Sequence, residues 1–97
     1  MVVGTGLIRL HIPMATGLKD KRAVVRSVVQ RLKNEFSVSA AEVGDLDKWQ
    51  MASIGFAFVS NNAAHANEVI DKAIDFVETG HWDAEVIDAE IEILHVF

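Results

Sequence analysis

The spacing of apolar residues along this chain switches between two periods, and the order of the switches restricts the fold more than any other feature. Apolar residues alternate along four segments, as in β-strands, and recur every three or four residues in two others, as in amphipathic helices. The predicted order is therefore β-α-β-β-α-β. The strands are predicted at Val2–Ile12, Ser37–Val43, Met51–Ser60 and Ala84–Leu94, and the helices at Lys19–Phe36 and from Asn61 or Asn62 to Gly80.

This order predicts a ferredoxin-like α+β sandwich, because right-handed crossovers and short connections leave few other solutions. We expect one domain over residues 1–97, with a four-stranded antiparallel sheet and two helices on one of its faces. The segment Met51–Ser60 has no polar face, which favours a central strand and leaves open which face is buried. The first and last strands become neighbours, so Arg9 and His11 would lie across from the acids at positions 88, 90 and 92.

The net charge of −5 conceals a division between two parts of the chain. Residues 1–33 hold seven of the nine cations and one of the fourteen acids, a balance of +6. Residues 34–97 hold the other two cations and thirteen acids, a balance of −11. An asymmetry of this size indicates a polar partner surface, although a solvated face produces similar runs of charge.

The first predicted helix carries the most distinct local signal. Lys19, Arg22, Arg26 and Lys33 fall within a wedge of about 60° beside the apolar stripe. Together with Lys21 they are candidates for contact with a phosphate backbone or another anion. The acidic overall charge and the lack of interleaved aromatic residues argue against nucleic acid.

The loop before the third strand gathers polar side chains and one tryptophan. This candidate polar site comprises Glu42, Asp45, Asp47, Trp49 and Gln50. A loop with two aspartates is also typical of turns. An enzyme would need a pocket that joins these residues around a perturbed carboxylate, and a chain this small leaves little room for one.

A third candidate is an apolar sheet face that a second copy could cover. Its predicted members are Leu7, Ile54, Phe56 and Phe58. Core packing of the two phenylalanines is the alternative, since aromatic residues are usually buried. A further alternative is that they imitate the stacking aromatics of an RNA-recognition sheet.

Several classes of function are excluded or disfavoured. The chain has no cysteine, which excludes disulfides, thiolate catalysis and cysteine-ligated metals. None of its four histidines pairs with another at helical spacing, so we expect no metal and no cofactor. No apolar run reaches the roughly 18 residues of a membrane span, and the start is a poor signal peptide. We expect a cytoplasmic protein without a membrane partner.

Three pieces of the sequence together resemble the YlxP-like family of small bacterial proteins of unknown function. They are Gly-Leu-Lys-Asp-Lys-Arg at 17–22, Ser-Val-Ser-Ala-Ala-Glu-Val at 37–43, and Trp-Gln at 49–50 followed by Gly-Phe-Ala-Phe-Val-Ser at 55–60. The resemblance implies a ferredoxin-like domain. Members are often encoded beside translation-initiation and ribosome-maturation genes, which implies a role linked to the ribosome. Two family residues are replaced here, a serine by Gly17 and an arginine by Met51.

The function expected is therefore that of a non-enzymatic binding module linked to RNA, the ribosome or translation. Its expected partner is the ribosome or a structured RNA, and no DNA partner is expected. The alternative is a homo-oligomeric interaction module that uses its open sheet face. A small enzyme is the third possibility.

Overall fold

The computed structural model describes all residues from 1 to 97, and it confirms the predicted order of elements. Each observed boundary lies within two residues of its prediction. The elements are β1 (Val2–His11), α1 (Leu18–Phe36), β2 (Ser39–Gly44), β3 (Met51–Ser60), α2 (Ala63–Thr79) and β4 (Glu85–His95).

The four strands form one antiparallel sheet in the order β2-β3-β1-β4. The helix α1 packs over β2 and β3, and α2 packs over β1, β3 and β4, so both helices cover the same face. This is the ferredoxin-like α+β fold that the sequence predicts. Neither helix is long and apolar enough to cross a membrane.

The hydrophobic core fills the space between the sheet and the two helices. It contains the alternate residues of β1 and the apolar stripes of both helices, as their periodicity requires. The helix α2 begins at the N-cap Asn62, whose side-chain oxygen accepts a hydrogen bond from the His65 N–H at 3.0 Å. Completely buried core residues include Ile8, Val28, Leu32, Ala52, Ile54, Ile70 and Ala73.

The predicted oligomer face is wrong in most of its members. Ile54 is completely buried and Phe56 is 4% exposed, both beneath the helices. Phe58 lies on the same side, where its ring contacts His65 of α2 edge-on with 5.5 Å between centroids. Leu7 alone lies on the other side of the sheet, because it pairs with Gly55 rather than with Ile54.

The face of the sheet opposite the helices is uncovered, and we call it the open sheet face. Its β4 side is acidic, with Asp88 in register with Arg9 of β1 as predicted. The Arg9 guanidinium nevertheless lies nearest Asp45, at 3.6 Å, and the ring of His11 contacts Glu85 at 2.7 Å. By strand register and alternation, the remaining members of this face include Val3, Thr5, Leu7, Ala41, Val43, Gly55, Ala57, Val59, Glu90, Glu92 and Leu94.

Candidate functional site

Four cations of α1 are exposed along one side of the helix and have no acidic partner. They are Lys19, Arg22, Arg26 and Lys33, and we call them the basic ridge. No carboxylate oxygen lies within 4.0 Å of their charged nitrogens. Since an α-helix rises about 1.5 Å per residue, the basic ridge extends roughly 21 Å along the axis of α1.

The other cations of the protein are all engaged. Arg9 and Lys48 lie 3.6 and 3.1 Å from Asp45, and Lys72 forms an ion pair with Glu68 at 2.9 Å. The guanidinium of Arg31 lies over the rings of Phe76 and Trp82, at 5.2 and 5.3 Å from their centroids. The contacts of Arg31 identify the side of α1 that faces α2. The basic ridge lies about 150° around the helix from Arg31, on the side away from α2.

The single acid in the first turn of α1 does not neutralise the basic ridge. The carboxylate of Asp20 accepts hydrogen bonds from the hydroxyl and the backbone N–H of Thr16, at 2.7 and 3.0 Å. These two bonds hold the pKa of Asp20 below its ordinary value. The carboxylate is therefore committed to the start of the helix, where it also complements the helix dipole.

Lys21 does not belong to the basic ridge, and its prediction as an anion-binding residue is wrong. Its side chain is completely buried beneath α1. The ammonium lies 2.9 Å from Glu42 Oε2 and donates hydrogen bonds to the carbonyls of Asp45 and Leu46, at 2.8 and 3.2 Å. Two of its donors are hydrogen-bonded to loop carbonyls and its charge lies against Glu42, so Lys21 holds the loop between β2 and β3 rather than a ligand.

The residues of the predicted polar site do not converge on one place in the structure. Glu42 points toward α1 and Lys21, whereas Asp45 lies by the open sheet face, where the Ser53 hydroxyl donates to it at 2.9 Å. The hydrogen bonds from Ser53 and Lys48 hold the pKa of Asp45 below its ordinary value. Asp47 is exposed and forms no ion pair.

The last two members of the predicted polar site differ in their surroundings. Gln50 donates through Nε2 to the carbonyls of Pro13 and Ala15, both at 3.2 Å. This ties the loop before β3 to the segment before α1. Trp49 leaves 56% of its surface exposed.

The largest cavity lies away from all of these candidates. It is a groove of about 520 Å³ between the end of α2 and the start of β4, lined by Val77, Glu78, Gly80 and residues 84–89. No three His, Asp or Glu side chains converge as a metal site would require. Among the charged groups of this surface, the cations of the basic ridge are the least compensated.

Two comparisons with known proteins place this architecture in a family. The family model described as "Protein of unknown function (DUF503)" matches residues 3–91, which takes in four elements completely and most of β1 and β4. The chain is 35% identical over 65 residues to the uncharacterized protein YlxP of Bacillus subtilis (strain 168). That alignment covers 67% of this chain and 71% of the relative. The resemblance predicted from the motifs at 17–22, 37–43 and 49–60 is thereby confirmed.

Proposed function

We propose that this chain is a non-enzymatic module that binds structured RNA through the basic ridge. The chain belongs to the family described as protein of unknown function (DUF503), so this proposal concerns a family without an established activity. The observation that carries the proposal is that the cations of this protein fall into two groups with different surroundings. Those outside the basic ridge are consumed in contacts within the protein, while the four on the ridge are exposed and without acidic partners. Unpaired cations in a row are the footprint of a phosphate backbone.

The geometry of the basic ridge supports a polyanion rather than a single small anion. Its cations are spread over roughly 21 Å of helix, so one phosphate cannot contact them all. A nucleic-acid strand presents phosphates repeatedly over that length. Overall charge opposes binding, since the protein carries −5, but the acids of α2 and β4 lie on other surfaces. A ligand that meets only the basic ridge therefore encounters a local positive field.

The test is the salt dependence of binding to a labelled RNA hairpin and to purified small ribosomal subunits. Four neutralised phosphates predict a slope of log K against log [salt] between about −2.8 and −3.6, a loss of about 50- to 150-fold between 50 and 200 mM salt. We expect the double variant Arg22→Gln with Arg26→Gln to weaken binding strongly and to halve that slope.

A matched control variant separates the loss of the ridge cations from the change in net charge. The double variant Asn67→Asp with Lys72→Gln changes the net charge by the same amount on exposed positions of α2. It should bind as the unmodified protein does. Binding that ignores salt, or that falls equally in both double variants, would refute a phosphate-binding ridge.

A second candidate function, self-association, is favoured by the composition of the open sheet face. Val43 and Val59 on this face are 57% and 62% exposed, and Val3 of β1 lies in register with Val59. Leu7 of β1 lies in register with Gly55, beside which the Val43 side chain packs. Adjacent exposed apolar side chains of this kind mark interaction surfaces. A second copy of the chain is the proposed occupant, and the acids along β4 set the conditions for its binding.

A further inference from the structure

Three large apolar side chains are exposed on two adjacent loops at one end of the molecule. Leu46 and Trp49, on the loop between β2 and β3, are 59% and 56% exposed. Met14, on the segment between β1 and α1, is 80% exposed. Trp49 makes no stacking contact with another aromatic ring or with a cation of the protein. Core packing therefore does not explain its presence.

The loop that carries Trp49 is fixed at both ends by hydrogen bonds. At its start, the buried ammonium of Lys21 donates to the carbonyls of Asp45 and Leu46. At its end, the side chain of Gln50 donates to two carbonyls of the segment before α1, and the Gln50 carbonyl accepts from the Ile12 N–H at 2.8 Å. The backbone beside Trp49 is thus held in place, which lowers the entropy that binding would cost.

The same contacts place this loop at the end of α1 where the basic ridge begins. Lys21 stands in the first turns of the helix, between Lys19 and Arg22 in the chain, and its side chain reaches the loop from beneath. The basic ridge and Trp49 therefore share one end of the molecule. We infer that Trp49 stacks on an unpaired base of the RNA whose phosphates follow the basic ridge, an inference that rests on the proposed function. The ligand class is RNA with a single-stranded loop or end beside a phosphate run.

The chemistry of this loop favours a base over a phosphate as the part of an RNA that it contacts. A tryptophan ring stacks on any base and needs no sequence-specific hydrogen bond. Exposed Asp47, two residues away, would repel a phosphate backbone, so a base is the part of an RNA that suits this loop. In duplex RNA the bases are stacked on one another, whereas unpaired bases are free to meet an aromatic side chain.

The test compares two RNAs of equal charge, a hairpin with a large unpaired loop and a blunt duplex, against variants of Trp49. Trp49→Ala should weaken binding of the looped hairpin about 5- to 150-fold and leave the duplex within about twofold. Trp49→Phe should restore most of the affinity, because a phenyl ring also stacks. The hairpin should quench tryptophan fluorescence in the unmodified protein more than in Trp49→Phe, where Trp82 is the sole indole.

Leu46→Ala is the matched control, because it removes an equally exposed apolar side chain from the same loop. It should leave both affinities unchanged. An equal loss of RNA affinity in Leu46→Ala and Trp49→Ala would mean that the aromatic ring of Trp49 has no special role, and it would overturn stacking. If Trp49→Ala has no effect while Arg22→Gln with Arg26→Gln weakens binding, stacking fails and the basic ridge stands. If neither variant affects RNA binding, the proposed function fails as well.

Discussion

At the scale of single residues, Lys21 is where the sequence misleads. Read as one of five cations on a helix, it looks like a ligand for phosphate. Its spacing nevertheless places it in the apolar stripe, since it precedes Val28 by seven residues and Leu32 by eleven, both in phase with an α-helix. Those two residues are completely buried, as is Lys21. The helical periodicity could have identified it, but only tertiary structure supplies Glu42 and the two carbonyls that make a buried ammonium tolerable.

The Lys21–Glu42 pair yields a stability prediction that separates charge from packing. Lys21→Met keeps the volume of the side chain but leaves the mostly buried Glu42 without its partner, so we expect a loss of about 3 kcal/mol in the free energy of unfolding. Glu42→Gln should cost less, about 1 kcal/mol, because an amide oxygen still faces the ammonium. The double variant should be no less stable than Lys21→Met. Urea denaturation of the four proteins gives the coupling energy directly.

The coupling energy decides whether Lys21 and Glu42 form a stabilising ion pair or are only neighbours. Glu42 Oε2 receives no aligned hydrogen bond although Lys21 Nζ lies 2.9 Å away, so the attraction is mainly electrostatic. A coupling energy indistinguishable from zero would mean that the two charges stabilise the fold independently. Lys21 would then act only through the carbonyls of the loop.

At the scale of elements, periodicity was sufficient to place both helices and all four strands, but it could not orient β3. Both faces of β3 are apolar, so alternation alone gives no preference between them. The choice depends on its neighbour in the sheet. Gly6 of β1 lies in register with Phe56, and a Cβ atom at Gly6 would come within 2.4 Å of that ring. The glycine provides the space that lets Phe56 turn toward the helices.

Substitutions at two glycines, Gly6 and Gly17, should have opposite effects on stability because their surroundings differ. Gly6→Ala must displace the Phe56 ring in a close-packed core, and we expect it to lower the free energy of unfolding by about 1–3 kcal/mol. Gly17, the N-cap of α1, has extended backbone and no side-chain cap, and a Cβ atom added to it would meet nothing within 4 Å. Gly17→Ser adds a capping oxygen there and should raise stability by roughly 0.3 kcal/mol. Thermal or urea denaturation measures both.

A double variant tests whether the effect of Gly6→Ala comes from the Phe56 ring. Gly6→Ala combined with Phe56→Leu should recover part of the lost stability, because the smaller side chain vacates the space that the new methyl group enters. Equal destabilisation by Gly6→Ala in the presence and absence of the Phe56 ring would assign the effect to the backbone of β1 instead.

At the scale of the whole molecule, the charge division in the sequence becomes a division between surfaces. Four unpaired cations lie on α1, on the side away from α2, and acids line the open sheet face along β4. The sequence predicted this separation, and it placed all four cations of the basic ridge on one side of α1, whereas the fifth candidate, Lys21, is buried. It could not predict that Asp45 would attract Arg9 in addition to Lys48 three residues along, because Arg9 reaches that loop only when the sheet is assembled. The cations left unpaired are thus defined by the fold.

The two proposed functions should respond to salt in opposite directions. RNA binding by the basic ridge weakens with salt. Self-association through the open sheet face joins two copies that each carry −5 and have Glu90 and Glu92 on that face, so it strengthens as salt screens these charges. Sedimentation velocity at about 0.05 and 0.5 M NaCl should therefore show more dimer at the higher salt. Glu90→Gln with Glu92→Gln should raise the dimer fraction at low salt, and Leu7→Glu should abolish it. A protein that stays monomeric at high micromolar concentration in both salts, with and without the glutamine substitutions, has no such dimer, and RNA binding then stands as its sole proposed function.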